Sequence, residues 1–227
     1  MKTIRCVICD VDGLLIDSEG IFAKAIKHYS GHELTQDLHL AIMGTTGPTC
    51  GKILMKGFGL EGDPIEWMQK FDIVLNGFLK ESDLMPGARQ LVKKFHEMRV
   101  PIGIATGSNR CNLEAKCTKN MDLLDMLDTS TCGNEVTHGK PNPEIFLTTM
   151  KKLGIDDPTQ VLVFEDAPTG VKAAISAGMQ CIMVPDKSLP YQKLLDDYGV
   201  KPTLMLDSLE QFDFSMYKFI NKDGNVA

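Results

Sequence analysis

The sequence predicts an α/β fold: a doubly wound parallel sheet with a small all-helical cap inserted after the first strand. Three observations carry that expectation. Residues 4–9, 101–105, 160–164 and 180–184 are continuous apolar runs without polar alternation, the pattern of strands covered on both faces. Helical periodicity fills residues 88–98, 109–119, 143–153 and 170–177, and strands alternating with helices imply right-handed β-α-β crossovers. The stretch from about residue 18 to 83 breaks this rhythm, with helical spacing and no convincing strand.

In chain order, the first strand runs straight into Asp10, Asp12 and Asp17. The insertion follows, its periodicity clearest in Ile65, Met68, Phe71, Val74, Leu75 and Phe78. Gly13 and Pro86-Gly87 punctuate its two sides. The expected division is therefore a catalytic core of residues 1–16 and 84–227 and a helical cap of residues 17–83. Neither an internal repeat nor a low-complexity tract is present.

At 227 residues the chain can bury one sizeable core with a smaller inserted module. Its 43% hydrophobic and 24% charged content, with a formal charge of -6, invites neither a nucleic-acid backbone nor an anionic membrane surface. No apolar run approaches the ~20 residues of a membrane span, and the start meets Asp10 too early for a signal-peptide core. The expected location is cytoplasmic. Seven cysteines, an odd number set in apolar segments, fit reduced core thiols rather than a disulfide framework. Cys6 and Cys9 spell C-x-x-C, yet their odd spacing in a strand points them to opposite faces, and no second ligand pair follows.

In an open α/β sheet, ligands bind beyond the carboxyl ends of the strands. Asp10 and Asp12 follow the first strand, Thr106-Gly107-Ser108-Asn109 the second, and Glu165-Asp166 the third. "ATGSN" places a hydroxyl and free backbone N–H groups at a helix start, an anion site by geometry, although Ser108 or Asn109 could simply cap that helix. "HGKPNPE" holds Lys140 in a proline-bracketed loop, where a lysine or His138 is ordinarily a solvated or hydrogen-bonding loop residue. Glu165 and Asp166 could be helix caps, but with Asp10 and Asp12 they bring four carboxylates to one crevice, which calls for Mg²⁺. Two other motifs fail. "DVDG" has glycine and Leu14 at the wrong places for an EF-hand, and "TGPTCGKI" has Thr46 and Ile53 where a P-loop needs Gly and Ser/Thr.

The ordered set D-x-D-G, Thr, a "GKP" lysine and E-D resembles the haloacid dehalogenase superfamily of phosphotransferases in all four of its motifs. The resemblance covers essentially the whole chain and implies a Rossmann-like core with a helical cap. "DVDGLLIDSE", "LMPGARQL", "THGKPNPEIFL", "VLVFEDAPTGVKAAISAGM" and "MVPD" resemble the branch containing pseudouridine-5'-phosphatase, related glycerol- and sugar-phosphate phosphatases and β-phosphoglucomutase. The resemblance implies Asp10 as nucleophile and Asp12 as the proton donor to the leaving alkoxide, protonated in the substrate complex. It implies Mg²⁺ held by Asp10, the Asp12 backbone carbonyl and Asp166, with Glu165 acting through water. Thr106, Gly107 and Lys140 would cradle the phosphoryl oxygens.

Dehalogenases lack the second aspartate, and pumps of this superfamily need membrane spans. A mutase must grip a second phosphate with a basic cap residue, and "MGTTGPTCGK" offers only Lys52. The expected activity is hydrolysis of a small phosphomonoester by a monomer, with a phosphosugar mutase or a silent binding protein as alternatives. In the cap, Glu19, Gly44, Thr45, Thr46 and Gly47 are the candidate substrate contacts; Glu19 could equally be a first-turn helix acid, and the glycines a helix-breaking turn.

Overall fold

A computed structural model describes residues 1–42, 45, 47–187 and 190–227. It begins with two short strands, β1 (Lys2–Ile4) and β2 (Cys6–Cys9), followed by four helices, α1 (Glu19–Ser30), α2 (Gln36–Ile42), α3 (Gly47–Phe58) and α4 (Pro64–Leu79). Strands and helices then alternate through α5 (Ala88–Glu97), β3 (Ile102–Thr106), α6 (Arg110–Lys116), α7 (Met121–Asp125), β4 (Thr129–Cys132) and α8 (Glu144–Lys152). The chain closes with β5 (Val161–Glu165), α9 (Pro168–Ser176), β6 (Gln180–Met183), α10 (Tyr191–Tyr198), β7 (Leu204–Met205) and β8 (Tyr217–Phe219).

Six strands form one parallel sheet in the order β4-β3-β2-β5-β6-β7. The central strand β2 has β3 on one side and β5 on the other, so the chain reverses its winding there. A crevice opens at such a switch point, beyond the strands' carboxyl ends. The predicted first strand is two: Ile4 ends β1, which pairs with β8 in a separate parallel ribbon, and Cys6 starts β2. β4 was not expected because its residues, Thr129 to Cys132, form no apolar run. The two-residue β7 and the alternating Tyr-Lys-Phe of β8 are too short to register as patterns.

Two apolar layers sandwich the sheet. Cys9, Ile102, Ile104, Leu162, Phe164 and Ile182 face one layer, while Cys6, Ile8, Ala105, Val161, Val163 and Cys181 face the other. The C-x-x-C pair is thus divided between opposite faces. Burial pushes the Cys6 thiol up to about 12 and that of Cys9 higher still, leaving both as inert core groups.

The four inserted helices carry their own apolar cluster, built around Ile26, Leu54, Phe71, Leu75 and Leu79, and α6 of the core contributes Ala115 to it. Asp63 caps α4 by accepting from Ile65 N at 2.9 Å, with Pro64 at the first helical position. The chain leaves and re-enters the core along adjacent paths: Asp17 N donates to Asp83 O and Met85 N to Leu15 O, each at 3.0 Å. Among the described residues, no helix is long and apolar enough to cross a membrane.

On the core's first face, fully buried Phe95 packs against Phe164, Phe212, Phe214 and Phe219 at ring-centroid distances of 5.1 to 6.2 Å. Phe95→Ala is expected to lower the unfolding free energy by about 3–5 kcal/mol. Urea denaturation measures this; a loss below about 1 kcal/mol would mean that the aromatic cluster collapses to fill the space.

Candidate active site

Asp10 is the first residue past β2, its N–H donating to Phe164 O at 3.0 Å, and a tight turn follows. Gly13 makes that turn at φ 72°, and a Cβ there would meet Asp166 Oδ2 at 2.4 Å. Both the backbone angle and the close approach therefore exclude a side chain. Asp166 comes from the end of β5, next to Glu165. Asp10, Glu165 and Asp166 are 5%, 1% and 6% exposed, and one ligand atom from each lies within 4.8 Å of the other two.

Three buried carboxylates at this distance need positive charge. Lys140 supplies part of it. Its Nζ donates to Asp10 Oδ1 and Glu165 Oε1, both at 2.5 Å, and to Ala105 O at 3.0 Å, and it lies 5.0 Å from the Phe146 ring centre. The two carboxylates raise the Lys140 pKa against the effect of burial. Glu144 holds the loop that presents Lys140, accepting from Thr137 N at 2.7 Å and from His138 N and Nδ1 at 3.0 Å. His138 thus serves as a loop hydrogen-bonder.

The other oxygen of Glu165, Oε2, accepts from the backbone N–H groups of Asp166 and Ala167 at 3.2 and 3.3 Å. Gly170 makes room for this side chain, since a Cβ there would come within 1.9 Å of Glu165 Oε1. Hard carboxylate oxygens at this spacing, with a glycine vacating the space beside Asp166, fit a small divalent cation.

Asp12 lies apart from that carboxylate cluster. Its carboxylate turns toward α6 and accepts from Ser18 Oγ at 2.5 Å, Ser108 Oγ at 3.0 Å, Thr106 Oγ1 at 3.2 Å and the buried Lys116 ammonium. Lys116 also donates to Ser108 Oγ at 2.6 Å. Burial alone would raise the Asp12 pKa, but the Lys116 charge and these hydrogen bonds lower it from 3.8 to about 2. Asp10 moves the other way, pushed up by burial and by the charges of Glu165 and Asp12 against the pull of Lys140. The protein's own groups thus move the two aspartates in opposite directions, and the expectation that Asp12 is protonated concerns the substrate complex, where phosphate adds its own charge.

Lys116 was missed by sequence reasoning. The signal lay in α6, where Asn112, Leu113 and Lys116 share a buried face at helical spacing. Thr106 is fully buried, its hydroxyl turned to Asp12, and Asn109 caps α6 by accepting from Asn112 N at 2.8 Å. Gly107 and Lys140 line a cavity of about 630 Å³ that extends from Asp10, Asp12, Glu165 and Asp166 toward the inserted helices. Thr45 and Gly47 also line it, whereas Gly44 and Thr46 lie outside the described residues. Glu19 is the first residue of α1; its side chain is likewise outside what is described.

A doubly wound sheet that gathers buried carboxylates and lysines at its switch point, beneath inserted helices, defines a class of α/β hydrolase. The chain belongs to the haloacid dehalogenase-like hydrolases, whose family model matches residues 4–178. It is 33% identical over 218 residues to a Drosophila melanogaster protein described as a probable pseudouridine-5'-phosphatase, covering 93% of this chain and 94% of that one. A phosphorylated carbohydrates phosphatase of Thermotoga maritima is also 33% identical, over 221 residues covering 92% of this chain and 99% of the relative. The β-phosphoglucomutase of Clostridium difficile, 21% identical, shares the fold with a TM-score of 0.77 over 94% of this chain and 95% of its own.

The Asp12 network has a pH signature. A folded pKa below the unfolded one stabilises fully above 3.8 and is lost as pH falls through about 2. Lys116→Met is expected to cost about 2 kcal/mol at neutral pH, with the difference from wild type vanishing in strong acid. Urea unfolding across that range tests it, and a difference independent of pH would refute the ion pair as its source.

Proposed function

We propose that the chain is a Mg²⁺-dependent phosphatase of small phosphomonoesters, pseudouridine 5'-phosphate or another sugar phosphate, acting through an aspartyl-phosphate on Asp10. The observation that carries this reading is the buried cluster of Asp10, Glu165 and Asp166 with Lys140 between two of its members. The relatives' names, a pseudouridine-5'-phosphatase and a phosphorylated carbohydrates phosphatase, support the substrate class.

In this reading Asp10 Oδ attacks phosphorus while the bond from phosphorus to the leaving oxygen breaks. Lys140 and the Gly107 amide take the charge of the transferring oxygens, and Thr106 orients Asp12. Asp10, Asp166 and the Asp12 carbonyl would hold Mg²⁺, with Glu165 in reach through water; the ion supplies charge neutralisation between carboxylate and phosphate. Asp12 gives the leaving alkoxide its proton and later takes one from the attacking water. To do so it must exchange Lys116 for a proton, and the arriving phosphate's negative charge favours that exchange. Residues 17–83 would act as a cap over residues 1–16 and 84–227, excluding water from the site.

Hydrolysis is preferred to the mutase reading by the cavity wall. Lys52 is exposed and absent from the cavity lining, and among the described residues of the inserted helices the basic side chain that lines it is His39, with no Lys or Arg beside it. A phosphate-release screen over nucleoside, glycerol and hexose monophosphates, with and without chelator, tests the proposal. Asp10→Asn is expected to lower turnover roughly a thousandfold or more with the fold intact; retained turnover would remove Asp10 as nucleophile. Asp166→Ala is expected to lose activity that excess Mg²⁺ partly restores, and an unchanged metal dependence would take Asp166 out of the coordination shell.

A further inference from the structure

The cavity has two unlike walls. Its core side carries the carboxylates and lysines of the phosphate chemistry, whereas the inserted helices contribute Phe22 from α1, Pro48 from α3 and Met68 from α4. All three keep open surface, Phe22 and Met68 being half-buried and Pro48 exposed. Apolar surface left open inside a ligand cavity gains free energy when an apolar part of the ligand covers it. Asp72 and His39 also line this side, one acid and one base, so the wall is not a cationic patch.

Phe22 is fixed relative to the chemistry. Its backbone N–H donates to Ser18 O at 3.0 Å, one turn back, and Ser18 Oγ donates to Asp12 at 2.5 Å. Four residues of helix rise about 6 Å. Phe22 therefore stands one turn beyond the residue that holds the proton donor to the leaving oxygen. Behind it, its ring meets fully buried Phe71 edge-to-face, with ring centres 5.4 Å apart. Met68, one turn before Phe71 on α4, lies across α3 at Gly51, where a Cβ would come within 2.5 Å of Met68 Cγ. Both side chains are thus braced by the packing of the inserted helices, and the apolar surface they leave open has a set position.

We propose that Phe22, together with Met68, is the specificity-determining platform for a ring carried by the leaving alcohol, so that the chain prefers nucleoside 5'-monophosphates to the bare sugar phosphate. In both substrates the same bond breaks, from phosphorus to the 5'-oxygen, and Asp10 takes the phosphoryl group. They differ in what lies beyond the ribose. The flat face of a base covers apolar side chains and stacks on an aromatic one, whereas the hydroxyls of a bare sugar lose water against the same surface without gaining a partner there. The spacing of one helical turn between Ser18 and Phe22 leaves room for the ribose between the leaving oxygen and the ring.

The inference rests on the phosphatase reading, and the test separates the two. kcat/KM is measured on the full chain with Mg²⁺ for uridine 5'-phosphate, pseudouridine 5'-phosphate, ribose 5-phosphate and phenyl phosphate. Wild type is expected to favour the better of the two nucleotides over ribose 5-phosphate by at least about tenfold. Phe22→Ala should lower that ratio by about tenfold, chiefly through the nucleotide's KM, and Phe22→Tyr, which keeps the ring, should retain it. Met68→Gln, of similar volume, should lower the ratio in the same direction and reads the same wall if Phe22→Ala does not fold. A folded Phe22→Ala protein with an unmoved ratio overturns the platform alone. So does a wild type that does not distinguish nucleotide from ribose 5-phosphate, a comparison that stands whether or not the variants fold. Failure of wild type to release phosphate from any of the four, phenyl phosphate included, overturns the phosphatase reading and the platform together.

Discussion

The Lys140 ammonium lies between Asp10 and Glu165, with the Ala105 carbonyl as its third partner. Each of these acceptors comes from the end of a different parallel strand, β2, β5 or β3, so a single cation joins the three central strands where the sheet changes its winding. Buried ion pairs contribute little net stability because desolvation offsets their attraction, whereas removing one partner is strongly destabilising. Such a contact is better explained by the site than by the fold. The surrounding structure follows from it: Glu144 braces the lysine loop, Phe146 lies beside the ammonium, and Gly13 and Gly170 vacate the space that the acidic side chains occupy.

Two carboxylates two residues apart can play different parts because their surroundings differ. Asp10 has Lys140 and two further acids around it, so burial and repulsion dominate. Asp12 has Lys116 and three hydroxyl donors, and attraction dominates. Each aspartate is paired with its own lysine, and the two lysines approach from separate elements, a loop and the last turn of α6. Ser18 adds a link to the inserted helices, since it donates to Asp12 from the residue just before α1. Charge balance in the cavity and placement of the helices are thus joined at Asp12.

Much of the core was legible because parallel strands buried on both faces must be apolar throughout, as Val7-Ile8 and Leu162-Val163-Phe164 are. The carboxyl-end rule then located Asp10, Gly107, Glu165 and Asp166 at one crevice. β4 escaped because Thr129 to Cys132 carry polar side chains in a strand whose first two residues are only partly buried. Lys116 escaped because a lysine in a seven-residue helix reads as a solvated face; its partner is 104 residues away in sequence.

The sequence by itself determined the element types, the alternation of strands and helices, and which residues stand at strand ends, because these depend on the local periods of about 2 and 3.6 residues at which side chains repeat. Tertiary structure decided which charge neutralises which. It turned Asp12 toward Lys116 rather than toward the carboxylate cluster, and shared Lys140 between Asp10 and Glu165. Electrostatic energy depends on separation in space and on exclusion of water, and neither quantity is a function of spacing along the chain.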